Sequence, residues 1–287
     1  MNRRRFLAVS GAAAATGAAG LGGYAGFVEP GRVRFTHHRV NARTAPGQRE
    51  TTFVQVTDLH LQSVDAMHRR MAARVNALRP DLVLFTGDSV DRADRLGALA
   101  ELLALLDAGT PKYAVLGNWE HWSGVDAGAL ADIYRRASGR LLVNESVVHD
   151  VGGRALRVTG LDDLVGGRPD ARRAFADGNA ADAHLLLAHC PEHRDRLDLP
   201  PLPFGGVAAA GMDASRITMM LSGHTHGGQV NVLGWTPVLP PGSGRYVRGW
   251  FRDPGAVPLY VSRGIGTSVV PVRLGAPPEV AVFTMWV

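Results

Sequence analysis

The stretch Leu221-Ser222-Gly223-His224-Thr225-His226-Gly227-Gly228-Gln229 places two histidines one residue apart, between glycines and directly after a short apolar run. Neutral imidazole is the commonest protein ligand for metal ions. Glycine allows positive φ and a close approach of the backbone to whatever the rings hold. The stretch therefore indicates a metal site at the end of a strand, provided that the rest of the chain supplies further ligands.

Four other apolar runs also end in short turns that carry Asp, Asn or His. The five runs that predict strands are residues 52–57, 82–85, 113–116, 184–188 and 217–221. Ligands in α/β sheets lie at the carboxyl ends of strands, so we expect these side chains to converge. In chain order they are Asp58, His60, Asp88, Asn118, His189, His224 and His226.

This set of donors predicts the type of metal site. Seven ligands exceed the four of a tetrahedral zinc and suit two ions that share a bridging carboxylate. Carboxylate, amide and imidazole groups without thiolate favour Mn²⁺, Fe or Zn²⁺. We therefore expect two divalent metal ions as the cofactor.

The order of these blocks resembles a known family. The blocks are Asp58-x-His60, Gly87-Asp88-x-x-Asp91, Gly117-Asn118, His189 and Gly223-His224-x-His226. They are similar to the signature of the calcineurin-like metallophosphoesterases. The resemblance extends from about residue 51 onward. The tail Tyr260–Thr267, followed by Pro271-Val272-Arg273, is similar to that of a bacterial exported branch of the family.

The resemblance implies an α/β fold, a four-layer α/β/β/α sandwich, and hydrolysis of phosphoester or pyrophosphate bonds. It implies phosphorylated small-molecule or lipid substrates, such as cell-envelope lipids or nucleotide sugars. It also implies a division of the ligands. One ion would take Asp58, His60, Asp88 and His226, and the other would take Asp88, Asn118, His189 and His224, with Asp88 as the bridge. Asn118 would also help to neutralise the phosphoryl group.

One position departs from the family pattern. Where the family has Gly-Asn-His, with the histidine assisting the leaving group, this chain has Gly117-Asn118-Trp119, and an indole cannot act as the acid. Either His121 takes over, since a residue two further on in an extended turn can face the same side, or no acid is needed because the leaving group is a good one. In the second case Trp119 is a stacking or lipid-facing surface.

The missing histidine also leaves a second function class open, a catalytically weak, metal-dependent phosphate- or envelope-binding protein. Retention of all seven predicted ligands favours the enzyme. We expect a monomer.

The net charge of +5 does not indicate nucleic acid as a partner. Nearly all basic residues are arginines, Lys112 is the only lysine, and the arginines are scattered rather than gathered with aromatic residues. The single cysteine, Cys190, excludes an internal disulfide.

The N-terminus resembles a twin-arginine export signal. Arg3 and Arg4 are followed by Phe6 and Leu7, and residues 8–28 form an uncharged run rich in Ala and Gly. We expect residues 1–29 to be a signal or membrane anchor and residues 30–287 to form one domain. The protein would then be exported, to the periplasm, the cell wall or the outer side of the membrane.

Overall fold

The computed structural model describes residues 16–17, 19–176, 181–197 and 216–287. The predicted twin-arginine motif at Arg3 and Arg4 lies outside these residues. The described part of the predicted signal ends in the helical turns Tyr24–Val28 and Glu29–Gly31. No helix within the described ranges is both long and apolar enough to span a bilayer.

The described strands and helices alternate along most of the chain. The strands are β1 (Arg34–Arg39), β2 (Glu50–Val56), β3 (Leu82–Thr86), β4 (Lys112–Val115), β5 (Gly139–Leu141), β6 (Glu145–Asp150), β7 (Ala155–Gly160), β8 (Ala183–Leu187), β9 (Met219–Ser222), β10 (Gly249–Phe251), β11 (Leu259–Val261) and β12 (Glu279–Trp286). The α-helices are α1 (Ala66–Leu78), α2 (Leu96–Ala104), α3 (Asn118–Trp122), α4 (Ala127–Arg136), α5 (Ala171–Ala174) and α6 (His193–Arg196).

The strands form two six-stranded sheets, ordered β1-β12-β2-β3-β4-β5 and β10-β11-β9-β8-β7-β6. In the first sheet β2 to β5 run parallel, and β12 lies between β1 and β2, antiparallel to β2. In the second sheet β7, β8, β9 and β11 run parallel, with β6 and β10 antiparallel at the edges. Parallel strands bring their carboxyl ends to one edge, so each sheet collects the turns that follow its strands.

Three apolar cores separate four layers. On β3, Leu82 and Leu84 belong to the core between the two sheets, whereas Val83 and Phe85 belong to the core shared with α1, α2 and α4. This alternation is the period-two pattern of a strand that is buried on both faces. A third core lies on the outer side of the second sheet and includes Ala171 and Ala174 of α5. The predicted α/β/β/α sandwich is confirmed.

The turn after β4 differs from the expectation. We expected an extended turn from Gly117 to His121, but Asn118–Trp122 is a helix. The carboxylate of Glu120 accepts the backbone N–H of Gly117 at 2.9 Å, which is the capping-box arrangement that starts a helix. Residues two apart in a helix point about 200° away from each other. His121 therefore cannot replace Trp119 in the way that an extended turn would allow, and that premise was wrong.

Candidate metal centre

The seven predicted ligands lie together where the two sheets meet, and none is more than 5% exposed. The first sheet supplies Asp58 and His60 after β2, Asp88 after β3 and Asn118 after β4. The second sheet supplies His189 after β8, and His224 and His226 after β9. Short contacts link Asp58, His60, Asp88, His189 and His226. The ring of His224, which contacts Asn118, meets that of His189 edge-on with centroids 5.0 Å apart.

One half of the cluster surrounds Asp58, His60 and His226. Nε2 of His60 lies 3.1 Å from Nε2 of His226, and the two rings stack with centroids 4.9 Å apart. Nε2 of His226 lies 3.5 Å from Oδ1 of Asp58. One ligand atom from each of these three residues falls within 4.8 Å of the others.

Asp88 lies between this half and the other. Its Oδ2 atom is 3.6 Å from Nε2 of His60 and 3.2 Å from Nε2 of His189. Asp58, Asp88 and His189 also have ligand atoms within 4.8 Å of one another. Both carboxylates thus have contacts on two sides, and the predicted assignment of the bridge to Asp88 stays a prediction.

The backbone orients the ring of His189. Nδ1 of His189 donates to the carbonyl of Thr86 at 2.7 Å. This bond fixes the ring so that Nε2 faces Asp88, the arrangement that proteins use to orient metal-binding histidines. Nε2 of His189 is buried and has no well-aligned hydrogen-bond partner.

The second half is completed by His224 and Asn118. Nε2 of His224 lies 2.7 Å from the carbonyl of Pro241, and Nδ1 lies 2.9 Å from Oδ1 of Asn118. A neutral imidazole has only one N–H. If it donates to Pro241, the lone pair of Nδ1 points toward the amide of Asn118, as expected for two ligands of one cation.

These residues fit a divalent metal site. The donor set contains two buried carboxylates, an amide and four imidazoles. Nδ1 of His60 is buried without a hydrogen-bond partner, and Nε2 of His189 has only its 3.2 Å contact with Oδ2 of Asp88. Such buried groups need an explanation, and a bound cation provides one. How the ligands divide between ions stays a prediction.

The electrostatics of the cluster follow from burial and charge. Burial raises the pKa of Asp58. Burial also opposes ionisation of Asp88, but the charge and close contact of His189 and the charge of His60 lower the pKa of Asp88 well below its ordinary value. Burial and the charge of His189 lower the pKa of His224 to about 4. Burial, with the charges of His60 and Arg273, lowers the pKa of His226. Neutral rings at His224 and His226 are the form that binds metal.

Five of the ligands have left-handed backbones. The φ angles are 51° for Asp58, 43° for His60, 51° for Asp88, 73° for His224 and 51° for His226. Positive φ is uncommon for residues other than glycine and costs of order 1–3 kcal/mol each. The surrounding core therefore holds these turns in a strained, preorganised shape.

Two glycines let the turns pack onto the carboxylates. A Cβ atom on Gly223 would lie 2.2 Å from Oδ2 of Asp58, and a Cβ atom on Gly117 would lie 2.2 Å from Oδ1 of Asp88. At Gly223 the close packing allows the N–H of His224 to donate to both oxygens of Asp58, at 2.9 and 3.1 Å.

The comparisons with known proteins agree with this geometry. The family model described as calcineurin-like phosphoesterase matches residues 51–228. The chain belongs to the calcineurin-like phosphoesterase family. The family predicted from the five blocks is therefore confirmed, and the chain is a phosphoester hydrolase.

Two relatives match nearly the whole chain. One is the uncharacterized metallophosphoesterase YkuE of Bacillus subtilis, 30% identical over 99% of this chain and 98% of the relative. Another is the phosphodiesterase YaeI of Escherichia coli, 28% identical over 99% of each chain. Among solved structures, the NAD nucleotidase of Haemophilus influenzae aligns with a TM-score of 0.46 and 14% identity over 76% of this chain and 46% of that one.

In this phosphoesterase Trp119 lines the cleft above the ligands. The backbone N–H of Trp119 donates to Oδ1 of Asp88 at 2.9 Å, and the indole ring meets that of His60 edge-on, with centroids 5.8 Å apart. His121 points elsewhere and bonds through Nε2 to Oδ1 of Asp162 at 2.7 Å, which raises the pKa of His121. A catalytic role for His121 stays a prediction.

Glu120 is a functional residue that the sequence reasoning missed. Its buried carboxylate accepts four backbone N–H groups, those of Gly117, Asp88, Ser89 and Val90, at 2.6 to 3.2 Å. It thereby fixes the turns that carry Asp88 and Asn118 to each other. Burial and the charge of Asp88 raise the pKa of Glu120 to about 7. The glutamate three residues after Gly117 was the available signal.

Arg273 was also missed, except as part of the resemblance. Its fully buried guanidinium donates to the carbonyls of Arg263, Gly266 and Ala276 at 2.5 to 2.9 Å, and lies 3.2 Å from Nδ1 of His226. Gly264 and Gly266 in turn pack on Asp58 and its neighbour Leu59. Arg273 therefore stabilises the positions of Asp58 and His226 from the buried side of the cluster.

Two clefts open beside the ligands. The apolar cleft, of about 540 Å³, is lined by Asp88, Asn118, Trp119, Trp122, Thr225, His224, His226, Gly228–Val230, Pro237–Pro241 and Ser268–Val270. The polar cleft, of about 490 Å³, is lined by residues that include His60, Gln62, Ser63, Asp65, His68, Asp91 and Thr267. Val269 and Val270 line both clefts, so the two adjoin beside the ligand cluster.

Proposed function

We propose that this phosphoesterase hydrolyses a phosphodiester or pyrophosphate bond in an amphiphilic, lipid-linked substrate. The proposal rests on the apolar cleft. Its wall contains the predicted ligands Asp88, Asn118, His224 and His226 together with two tryptophans and the segment 237–241. A phosphate next to these ligands would place an attached apolar group against Trp119, Trp122 and the proline-rich wall. The polar cleft offers room for the other substituent of the phosphate.

The chain's own groups account for binding and positioning. Asp58, His60, Asp88, Asn118, His189, His224 and His226 would hold two divalent ions, from Mn²⁺, Fe or Zn²⁺. When bound, such ions activate water and neutralise phosphoryl charge. Glu120 and Arg273 fix the ligand-bearing turns, and Trp119 covers the side of the cleft next to His60. Because Trp119 carries no acidic proton, we favour a substrate with a good leaving group.

We further propose that the protein acts outside the cytoplasm, after export by the twin-arginine pathway, and at the cell envelope. The support is the Arg3-Arg4 motif and the uncharged run that follows it. A lipid-linked substrate in the envelope agrees with that location.

Two substrates with the same leaving group test the lipid proposal. The protein, reconstituted with Mn²⁺, would be given p-nitrophenyl ethyl phosphate and p-nitrophenyl octyl phosphate below its critical micelle concentration. Each CH₂ that is fully buried contributes about 0.8 kcal/mol, so even partial burial of six additional groups should raise kcat/KM by at least about tenfold. Trp122→Ala should reduce the ratio of the two values.

Equal kcat/KM for the two esters would contradict the lipid proposal while leaving the hydrolase activity intact. Faster turnover of a nucleoside diphosphate sugar than of the octyl ester would also contradict it, and would identify the polar cleft as the main determinant. Absence of turnover with either ester, in protein that binds metal, would contradict the hydrolytic assignment itself.

A further inference from the structure

We propose that the mouth of the two clefts is a membrane-docking face that inserts loop tips into a lipid bilayer. The docking rim, as we name it, consists of the exposed apolar residues Phe27, Val28, Trp122, Val232, Leu233, Trp235, Val238, Val269 and Val270. The inference builds on the lipid-linked substrate proposed above, and its test measures insertion separately from turnover.

The distribution of exposed apolar side chains is the first observation. The described residues include eleven large apolar side chains that are strongly exposed, and all except Leu21 and Val148 belong to the docking rim. Val148 lies on β6, one of the two edge strands of the second sheet. Single exposed apolar residues are ordinary, but a concentration around one opening marks an interaction surface.

The rim surrounds the clefts. Trp122, Val238, Val269 and Val270 line the apolar cleft. Val230 and Pro237 also line the apolar cleft. The loop between them carries Val232, Leu233 and Trp235 at its tip. A surface that docks there would bring its phosphates to the metal ligands.

The conformation of Leu233 is the second observation. Val232 and Trp235 exchange backbone hydrogen bonds of 2.9 and 3.0 Å, so that Leu233 and Gly234 form the tip of a two-residue hairpin turn. Leu233 has a φ of 53° and is fully exposed, at 103%. Such turns prefer asparagine or glycine at this position. The leucine is unfavourable here both for backbone conformation and for exposure to water, which suits a tip that enters an apolar medium.

Val269 repeats the pattern in another loop. It has a φ of 63°, which is an outlier for a β-branched residue, and is 90% exposed. Gln229 holds the loop on both sides of Val269, donating to the carbonyls of Ser268 and Val270 at 3.1 and 2.8 Å and accepting from the N–H of Ser268 at 2.9 Å. The backbone of this tip is therefore fixed, with the valine directed outward.

The N-terminal segment joins the same face. The backbone N–H of Arg273 donates to the carbonyl of Ala25 at 2.9 Å. The backbone N–H of Ala276 donates to Oε1 of Glu29 at 2.8 Å. Pro30 and Gly31 line the polar cleft together with Val269 and Val270. The described residues 19–28, which are uncharged, thus lead to this face, and Phe27 among them is 90% exposed.

These features favour a bilayer over a partner protein. The apolar residues come from several separate segments, among them the exposed tips at Leu233 and Val269. They include Trp122 and Trp235, a residue type enriched where membranes meet water. In the sequence, residues 8–28 are uncharged and rich in alanine and glycine.

A site-specific probe tests the docking. Cys190, the one cysteine of the chain, is buried and donates to Asp163, so Leu233→Cys can be labelled selectively with the environment-sensitive fluorophore NBD. Val148→Cys is the matched control. With vesicles of phosphatidylcholine and phosphatidylglycerol, NBD at position 233 should shift to the blue and gain at least about twofold in intensity, while NBD at position 148 should stay unchanged.

An unchanged signal at position 233, or equal changes at both positions, would overturn the docking proposal. As a second measure, Leu233→Asn suits the left-handed turn and should fold, retain turnover of soluble bis-p-nitrophenyl phosphate, and bind the vesicles at least about threefold more weakly than the parent. Vesicle binding equal to that of the parent would count against the proposal. Insertion at position 233 in a protein that shows no preference for the octyl ester would support docking and contradict the lipid substrate.

Discussion

The guanidinium of Arg273 places Nη2 3.2 Å from Nδ1 of His226. A guanidinium can only donate, so Nδ1 of a neutral His226 accepts and its proton lies on Nε2. That proton faces Nε2 of His60 at 3.1 Å. Binding of a metal ion at Nε2 of this neutral ring needs only a change of tautomer and releases no proton. His189 differs: burial lowers its pKa, but the charge and close contact of Asp88 raise it well above its ordinary value, so its ring must lose a proton to bind a metal ion.

Proton release on metal binding is therefore the first prediction. Titration of the metal-free protein with Mn²⁺ at pH 7, in buffers of different ionisation enthalpy, should give heats that depend on the buffer.

Arg273→Lys removes the forked donor, and we expect metal affinity to fall roughly 10- to 100-fold, as for other groups that orient metal ligands. Arg70→Lys, at an exposed position, is the control. Unchanged affinity in Arg273→Lys would contradict the supporting role.

The two histidines after β9 should affect separate ions. Because His226 contacts Asp58 and His60 whereas His224 contacts Asn118, we expect His226→Ala and His224→Ala each to lower metal content by about one ion per chain and to abolish turnover. Elemental analysis and bis-p-nitrophenyl phosphate hydrolysis measure both effects. Full activity in His224→Ala would refute the assignment of two ions.

Trp119 and His121 can be separated by leaving-group dependence. Trp119→His restores the acid of the family pattern, and we expect it to raise the turnover of alkyl phosphodiesters about 10- to 100-fold relative to p-nitrophenyl esters, since a general acid contributes roughly 10²- to 10⁴-fold. His121→Ala should leave both rates within about twofold, because Asp162 holds its Nε2. A loss confined to alkyl esters in His121→Ala would instead make His121 the acid.

A buried histidine away from the cluster predicts acid sensitivity. Burial lowers the pKa of His184 to about 4 from 6.5, so the unfolded chain takes up its proton first as pH falls. The free energy of unfolding should thus decrease below pH 6.5, by about 2 kcal/mol between pH 7 and pH 5 from this group. Urea unfolding of His184→Gln should show a pH dependence weaker by that amount, with exposed His37→Gln as the control. An equal pH dependence in both variants would contradict the shift.

The ligand residues could be predicted from the sequence because each one follows an apolar strand. Asp58, Asp88 and His189 come directly after runs whose burial is evident from composition, and parallel pairing then brings them together. Local patterns and one rule about parallel sheets are therefore enough to bring these residues together. The four-layer sandwich was expected from the family resemblance.

The remaining features depend on contacts that local patterns do not encode. Arg273 bonds to carbonyls brought together only by the tertiary fold. The helix Asn118–Trp122 is only five residues long, too short for a periodic signal, and it forms because Glu120 also binds the turn after β3. The exposure of Leu233 and Val269 likewise needed the backbone, since an apolar residue in sequence ordinarily indicates the core.

The position of β12 has a consequence for how the molecule is made. Residues 279–286 form the strand between β1 and β2, whereas the strands on either side come from the first fifth of the chain. During synthesis the first sheet therefore cannot close until nearly every other described residue has left the ribosome. The turn that bears Asp58 would reach its final conformation only then, so that an incomplete chain lacks a complete metal-binding site.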